Sequence, residues 1–263
     1  MDFTITQYKN LLQSIQGQRY TFQTYQDFIE NPAEKPIVLR HDVDALPENS
    51  LRFARIQASM GIVGTYYFRI IPQSFDDSII KEIAGLGHEI GYHYETMDTC
   101  KGDVDKAYEE FCENLETFNK IVSVKTITMH GSPLSGFDNR DIWKKYDYRK
   151  LGIIAEPYFD LNFNEVFYIT DTGRRWDGHL FNIRDKATKE NPLTNPQFLN
   201  LRFHSTSDMI NGFQNGLFPN KVMLNFHPQR WSDKPFPWLK ELLWQNTKNQ
   251  GKRLLLFIRK NKN

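Results

Sequence analysis

Cysteine is nearly absent from this chain, with two in 263 residues, Cys100 and Cys112. Their spacing matches no metal motif, and on a helix they would stand about three turns apart, so both read as reduced bystanders. An excess of charge of one sign is also lacking: the formal net charge is +1, which predicts no general attraction to nucleic acid or to an anionic membrane. Lys-rich sequence is confined to Arg259–Lys262 and reads as a solvated tail. No stretch approaches the eighteen or so apolar residues of a membrane span. Met1 to Gln7 has no charged region followed by an apolar run, so a cytoplasmic location is the expectation. Repeats, low-complexity tracts and clear linkers are missing as well. The length suits a single α/β barrel, so residues 1–263 are expected to form one domain, with 1–35 as an N-terminal extension packed on it.

What the chain does contain is a set of short apolar runs that end in ionisable residues. Pro36-Ile37-Val38-Leu39 leads into Arg40-His41-Asp42-Val43-Asp44. In an extended chain alternate residues share a face, so Asp42 and Asp44 point the same way. Two carboxylates so placed repel unless a cation lies between them or one stays protonated. The alternative use of Asp44 is as a cap or turn residue ahead of the helical pattern that starts at Pro47. Three further segments share this grammar: Gly87-His88-Glu89-Ile90-Gly91-Tyr92-His93-Tyr94-Glu95, Val124 to Met129 followed by His130-Gly131-Ser132-Pro133, and Val222-Met223-Leu224-Asn225-Phe226-His227-Pro228. Parallel α/β folds carry their active sites at the carboxyl ends of the strands, where these residues fall.

On these motifs, from about Pro36 to Trp231, the chain resembles the polysaccharide deacetylase superfamily, the NodB-homology proteins of carbohydrate esterase family 4. The resemblance is to a divergent His-Asp-Val-Asp branch associated with bacterial surface-polysaccharide genes. It implies an α/β fold, an incomplete and distorted (β/α)7 barrel of the NodB-homology type. It implies Asp42 as catalytic base, Asp44 and His93 as metal ligands, and His227 as general acid. The family's second metal histidine lies four residues after the first, where this chain has Met97, a poor ligand for a hard or borderline cation. His130 or Glu95 is then the candidate third ligand, with His130 preferred because it ends a neighbouring strand at the same level. His88 is excluded, since five residues of strand separate it from His93 by roughly 16 Å.

The order of elements fits that fold. Strands are expected at Ile37–His41, Val63–Phe68, His88–His93, Val124–Met129 and Gly152–Ala155. Helices are expected at Ile5–Ile15, Pro47–Met60, Asp76–Leu86 and Val104–Ile121, with a short one at Asn139–Lys145. Tyr20–Tyr25 alternates like a short strand, and Phe28–Pro36 reads as a connection. Long loops and one strand near Phe167–Thr170 are expected in 156–200. A final βα unit starts at Val222 and includes a helix near Trp238–Lys248. Such alternation argues for parallel strands with outer helices.

The expected chemistry is hydrolysis of an N-acetyl group on an amino sugar of a surface-polysaccharide or lipopolysaccharide precursor, using a divalent metal, zinc foremost. A related small-acyl amidase, such as an amino-sugar deformylase, would use the same groups. A barrel that has lost catalysis and only binds saccharide or a partner protein is the alternative of a different class. In the polar run Thr170 to Gly178, Asp171 and Arg175 are candidates to orient the base or to bind an anionic substrate group. Trp231 and Trp176 are candidates to stack on a sugar ring. Arg40 is expected to keep Asp42 ionised, and His179 and His204 are given surface or structural roles.

Overall fold

The computed structural model describes residues 1–131, 135–177, 198 and 201–260, with side chains up to Gly251. Ser132, Pro133, Gly178, His179 and Lys262 lie outside the described residues.

In chain order the elements are α1 (Ile5–Gln16), β1 (Thr21–Gln23), α2 (Tyr25–Glu30), β2 (Pro36–Val43), α3 (Pro47–Ser59) and β3 (Thr65–Phe68). Then come α4 (Asp77–Gly85), β4 (Glu89–Tyr94), α5 (Thr96–Thr99), α6 (Val104–Asn119) and β5 (Ile127–Met129). The last are α7 (Pro157–Asp160), β6 (Phe167–Thr170), α8 (Thr206–Gln214), β7 (Val222–Phe226) and α9 (Pro235–Lys260). Short 3-10 turns at Asn139–Lys144, Tyr148–Leu151 and Pro228–Arg230 connect them.

Among the described residues, seven strands form one sheet of order β5-β4-β3-β2-β7-β6, with β1 added beside β2. Every pairing is parallel, as short apolar strands separated by helices require. The sheet curls into the incomplete (β/α) barrel that the sequence predicts. β2 holds the centre. Its start (36–38) pairs with β1 and its end (40–43) with β3, while β7 runs along the other side. All eight β2 residues are buried. Their alternation sends Ile37, Leu39, His41 and Val43 toward the helices, and Val38, Arg40 and Asp42 into the barrel.

Two cores follow from that alternation. The larger lies between sheet and helices. There α1 contributes Tyr8, Leu11, Leu12 and Ile15, each fully buried at the i, i+3, i+4, i+7 spacing of one helical face. Each such side chain stabilises the fold by roughly 1.5–3 kcal/mol through the apolar area removed from water. His41 belongs to this core. Burial drives its pKa down to about 3, so it is a neutral ring stacked between Tyr66 and Phe226. The smaller core fills the barrel with Tyr25, Val38, Tyr67, Ala155, Leu161, Phe163, Val166 and Met223. In it the Tyr67 ring lies across Gly91, where a Cβ would fall 2.3 Å from the ring carbons. Only glycine admits that approach.

Besides the helices α5, α7 and α8, which the sequence expectation does not include, the structure departs from expectation at two connections of the sheet. The connection expected from Phe28 contains the end of α2. Thr24 caps this helix, its hydroxyl accepting from Asp27 N and donating to Asp27 Oδ2. The strand expected at Gly152–Ala155 shrinks to one parallel bridge, Thr126↔Ala155. Glu156 ends it by accepting from Tyr158 N and starting α7. β1 therefore makes up the seven strands.

Candidate active site

The carboxyl ends of β2, β4, β5 and β7 open into a cleft of about 880 Å³. Asp42, Asp44, His93, His130 and His227 all line it. Residues far apart in sequence meet here because the parallel register aligns the strand ends: Asp42 sits beside Tyr67, His93 beside Thr128, and Arg40 beside Asn225.

Asp42 is held most tightly. Arg40, two residues back on the same face, donates Nε to Oδ1 at 2.8 Å and Nη2 to Oδ2 at 2.9 Å. Asn225 Nδ2 also donates to Oδ2 at 2.9 Å. Burial pushes the Asp42 pKa up, but the Arg40 charge and hydrogen bonds, together with His93 and His227, outweigh it and hold the carboxyl far below the usual range. Asp42 is therefore an anion at any working pH. Arg40 itself rests over the Tyr67 ring, 5.5 Å from its centroid. Gly91, Tyr67, Arg40 and Asp42 thus form a continuous support.

Asp44 sits one alternation further out, about a quarter exposed. Burial raises its pKa, and the imidazoles of His227, His130 and His93 together with Arg230 bring it down to about 2. Its Oδ2 accepts from Gln229 Nε2 at 3.1 Å, while its Oδ1 is buried without a hydrogen-bond partner. That orphaned oxygen lies 3.7 Å from His93 Nε2 and 3.8 Å from His130 Nε2. Among the described residues, Asp44, His93 and His130 form the group of potential ligands whose donor atoms all lie within 4.8 Å of one another.

This donor set fits a divalent cation. Nitrogen, nitrogen and oxygen from three side chains, with one side open to the cleft, is a composition suited to zinc and similar ions. His93 Nδ1 lies 3.0 Å from the Thr128 carbonyl oxygen. That oxygen only accepts, so the proton is on Nδ1 and the Nε2 lone pair faces Asp44. Burial lowers the His93 pKa to about 4, which keeps the ring neutral as ligation demands. His130 Nδ1 stands 3.0 Å from Glu95 Oε2, and Arg69 holds the other side of that carboxylate at 2.6–3.0 Å. Glu95 therefore backs His130 and stands outside the ligand cluster. Met97 is buried in α5, and its backbone N–H bonds to Asn139 Oδ1 at 2.9 Å. The Met97 side chain thus fills an apolar packing position.

His227 Nε2 faces the same point, 4.0 Å from Asp44 Oδ2. Its Nδ1 lies 2.6 Å from Asp171 Oδ1, and its backbone N–H donates to Oδ2 at 3.0 Å. Asp171 is fully buried and also accepts from Trp231 Nε1 at 2.7 Å and from Arg230 Nη1 at 3.2 Å. Burial raises the Asp171 pKa, but the His227 and Arg230 charges lower it below the ordinary value. The ionised carboxylate orients the ring.

The four residues expected at the substrate, Asp171, Arg175, Trp231 and Trp176, do not line the cleft. Asp171 lies behind His227, out of the cleft, because its carboxylate is consumed by four donors. Trp231 is 1% exposed and packs on Phe3, Tyr8 and Phe53, so no face of it is free to stack on a sugar. Trp176, also 1% exposed, donates to Thr206 Oγ1. Arg175 pairs with Asp177 at 2.7 Å, and Asp177 in turn contacts His204. Sequence reasoning missed Asn225, Gln229 and Arg230. Asn225 had a legible signal: it stands two residues before His227 and so shares its face.

No family model matches the chain, and no curated protein sequence does. Among solved structures it is similar to a CE4 family pseudoenzyme from Bacillus anthracis, at 11% identity and a TM-score of 0.45, over 84% of this chain and 63% of that one. It therefore spans less than two thirds of that protein. It is also similar to a Streptococcus mutans CE4 esterase, at 13% identity and a TM-score of 0.43, over 87% of this chain and 84% of that one. A third likeness is to the peptidoglycan deacetylase PdaC from Bacillus subtilis, at 12% identity and a TM-score of 0.34, over 85% and 97%.

Proposed function

We propose that this protein is a metal-dependent hydrolase of the polysaccharide-deacetylase type that removes an N-acetyl group from an amino sugar. One observation carries the reading: Asp44, His93 and His130 converge around an unpartnered carboxylate oxygen, with an ionised Asp42 on one side and the His227–Asp171 pair on the other. A binding module has no use for that pairing of base and acid.

Asp44, His93 and His130 would hold the cation, zinc being the best match to the donor set. When bound, such an ion supplies Lewis acidity, bringing water's pKa down to about 7 and polarising an acyl oxygen. Asp42 accepts the proton of the attacking water, and its position in the Arg40–Asn225 grip keeps the accepting oxygens aimed at the cleft. The water oxygen bonds to the acyl carbon. His227 then delivers a proton from Nε2 to the amide nitrogen as the C–N bond breaks, so that a neutral amine leaves with acetate as co-product. Asp171 steadies the imidazolium that precedes this transfer. The proposed setting is a saccharide precursor of a surface polysaccharide met in the cytoplasm. No helix among the described residues is long and apolar enough to cross a membrane.

The test is metal content by mass spectrometry together with acetate and formate release from N-acetyl- and N-formyl-amino sugars. About one zinc per chain is expected, lost in Asp44→Asn, His93→Ala and His130→Ala and kept in Glu95→Gln. A protein that takes up no metal under any loading condition would sink this reading.

A further inference from the structure

The cleft has a second wall. Glu241, Trp244, Gln245, Lys248 and Gly251 of α9 line it together with Arg230, and two cations meet there: Arg230, whose carboxylate partner Asp171 is shared with His227, and Lys248. The Arg230 side chain is nine-tenths buried. One terminal nitrogen reaches Asp171 at 3.2 Å, but its Nε is buried with no partner. Lys248 lies at the rim with Nζ 4.7 Å from the Trp244 ring centroid, and among the described residues it makes no ion pair. Partial burial and the Arg230 charge both lower the Lys248 pKa, the behaviour of two cations sharing a space. Two acids also face this space. Asp44 is committed to the ligand cluster, and Glu241 Oε1 accepts from Gln245 Nε2 at 2.6 Å.

We propose that Arg230 and Lys248 form an anion subsite, and that the substrate saccharide carries a phosphate ester within the cleft, beside the sugar that bears the acyl group. This rests on the hydrolase reading for the identity of the ligand as a saccharide. A guanidinium with a free N–H and a mobile ammonium together suit the several oxygens of a phosphate. A phosphate would give the Arg230 guanidinium and the Lys248 ammonium a charged acceptor in the cleft, which a neutral polymer cannot. The same chemistry is offered by a nucleotide-linked and by a lipid-diphosphate-linked sugar.

The experiment is calorimetric titration of the full-length protein, as purified and again after chelation, which excludes direct ligation of phosphate by a metal. The probes are N-acetylglucosamine 1-phosphate and neutral methyl N-acetylglucosaminide. We expect the phosphate to bind about tenfold more tightly, the increment of one charge-assisted hydrogen bond. That preference should vanish in Lys248→Gln, survive in Lys248→Arg, and shrink with added salt. Uridine-diphosphate and farnesyl-diphosphate derivatives of the same sugar then separate the two sources, the natural one keeping the Lys248-dependent preference. Equal binding of both probes, or a preference that Lys248→Gln leaves unmoved, would overturn the subsite. The readout needs neither metal nor turnover, so a failed hydrolase would leave it standing. A failed preference would likewise leave metal content and acetate release untouched.

Discussion

Two walls border the same cleft and are built on opposite terms. On the strand side the charges are paired, Arg40 with Asp42, His227 with Asp171 and Arg69 with Glu95, and Asp44 Oδ1 is left for a ligand. These groups are mostly buried, and their positions follow from sheet register. On the α9 side Trp244, Lys248 and Gly251 are exposed, Trp244 at 54%, and Lys248 lacks an acid partner among the described residues. The difference teaches where rigidity is located. Groups that would move protons are fixed by several hydrogen bonds each, while groups that would meet the variable part of a substrate keep their freedom.

That contrast predicts a graded series of effects. The largest belongs to the strand side. His227→Ala and Asp42→Asn should each lower kcat by roughly 10²–10⁴, measured as acetate release, with zinc content retained. Asp42→Asn should also cost about 3–5 kcal/mol of stability, because it leaves the buried Arg40 charge without its counter-charge. Adding Arg40→Met to Asp42→Asn should recover most of that loss in denaturant melts. A double variant as unstable as the single would mean that Arg40 carries no such penalty.

Next is a pH effect. Glu156 is fully buried, accepting from Met129 N and Tyr158 N. Burial raises its pKa from 4.5 to about 7 despite those donors. The folded state therefore holds this proton more tightly than the unfolded chain does. Its contribution to stability is full below pH 4.5 and is lost as pH rises through about 7, amounting to at most about 3 kcal/mol. Unfolding free energies measured across that window should decline in the wild type and be flatter in Glu156→Gln. Parallel slopes would place the titration elsewhere. The depressed carboxylates Asp44 and Glu95, both near 2, act in the opposite sense and in a lower window.

Packing beneath the site comes third. Gly91→Ala should destabilise by about 1–3 kcal/mol, since its Cβ must displace the Tyr67 ring. Pairing it with Tyr67→Ala should relieve the clash and give a favourable coupling energy. Trp244→Ser on α9 closes the series, expected to change stability by no more than about 0.5 kcal/mol. A large effect there would break the comparison, showing that the helix wall is as tightly built as the strands.

Much of this was legible along the chain. Short apolar runs ending in Asp or His marked β2, β4, β5 and β7, and alternation alone put Asp42 and Asp44 on one face. The choice between His130 and Glu95 required space as well as sequence, since both lie near the ends of neighbouring strands. β1 was legible in the alternation of Tyr20–Tyr25, whereas α2 was not, because a six-residue helix carries too few residues for a period to show. The sequence does not reveal that Asp171, Arg175 and Trp231 stand outside the cleft lining. A polar or aromatic residue after a strand looks the same in sequence whether it lines the cleft or stands behind its lining.

The sequence by itself determined what each strand offers to its two faces, because backbone alternation is a property of the local chain. Arg40 meeting Asp42 two residues later is of that kind. Tertiary structure alone decided that His227 comes to 4.0 Å from Asp44, that Asn225 reaches Asp42, and that Trp231 turns its indole nitrogen inward to Asp171. Those contacts span residues more than fifty positions apart. They depend on the register of parallel strands and the curl of the sheet, and buried contacts between distant segments set both.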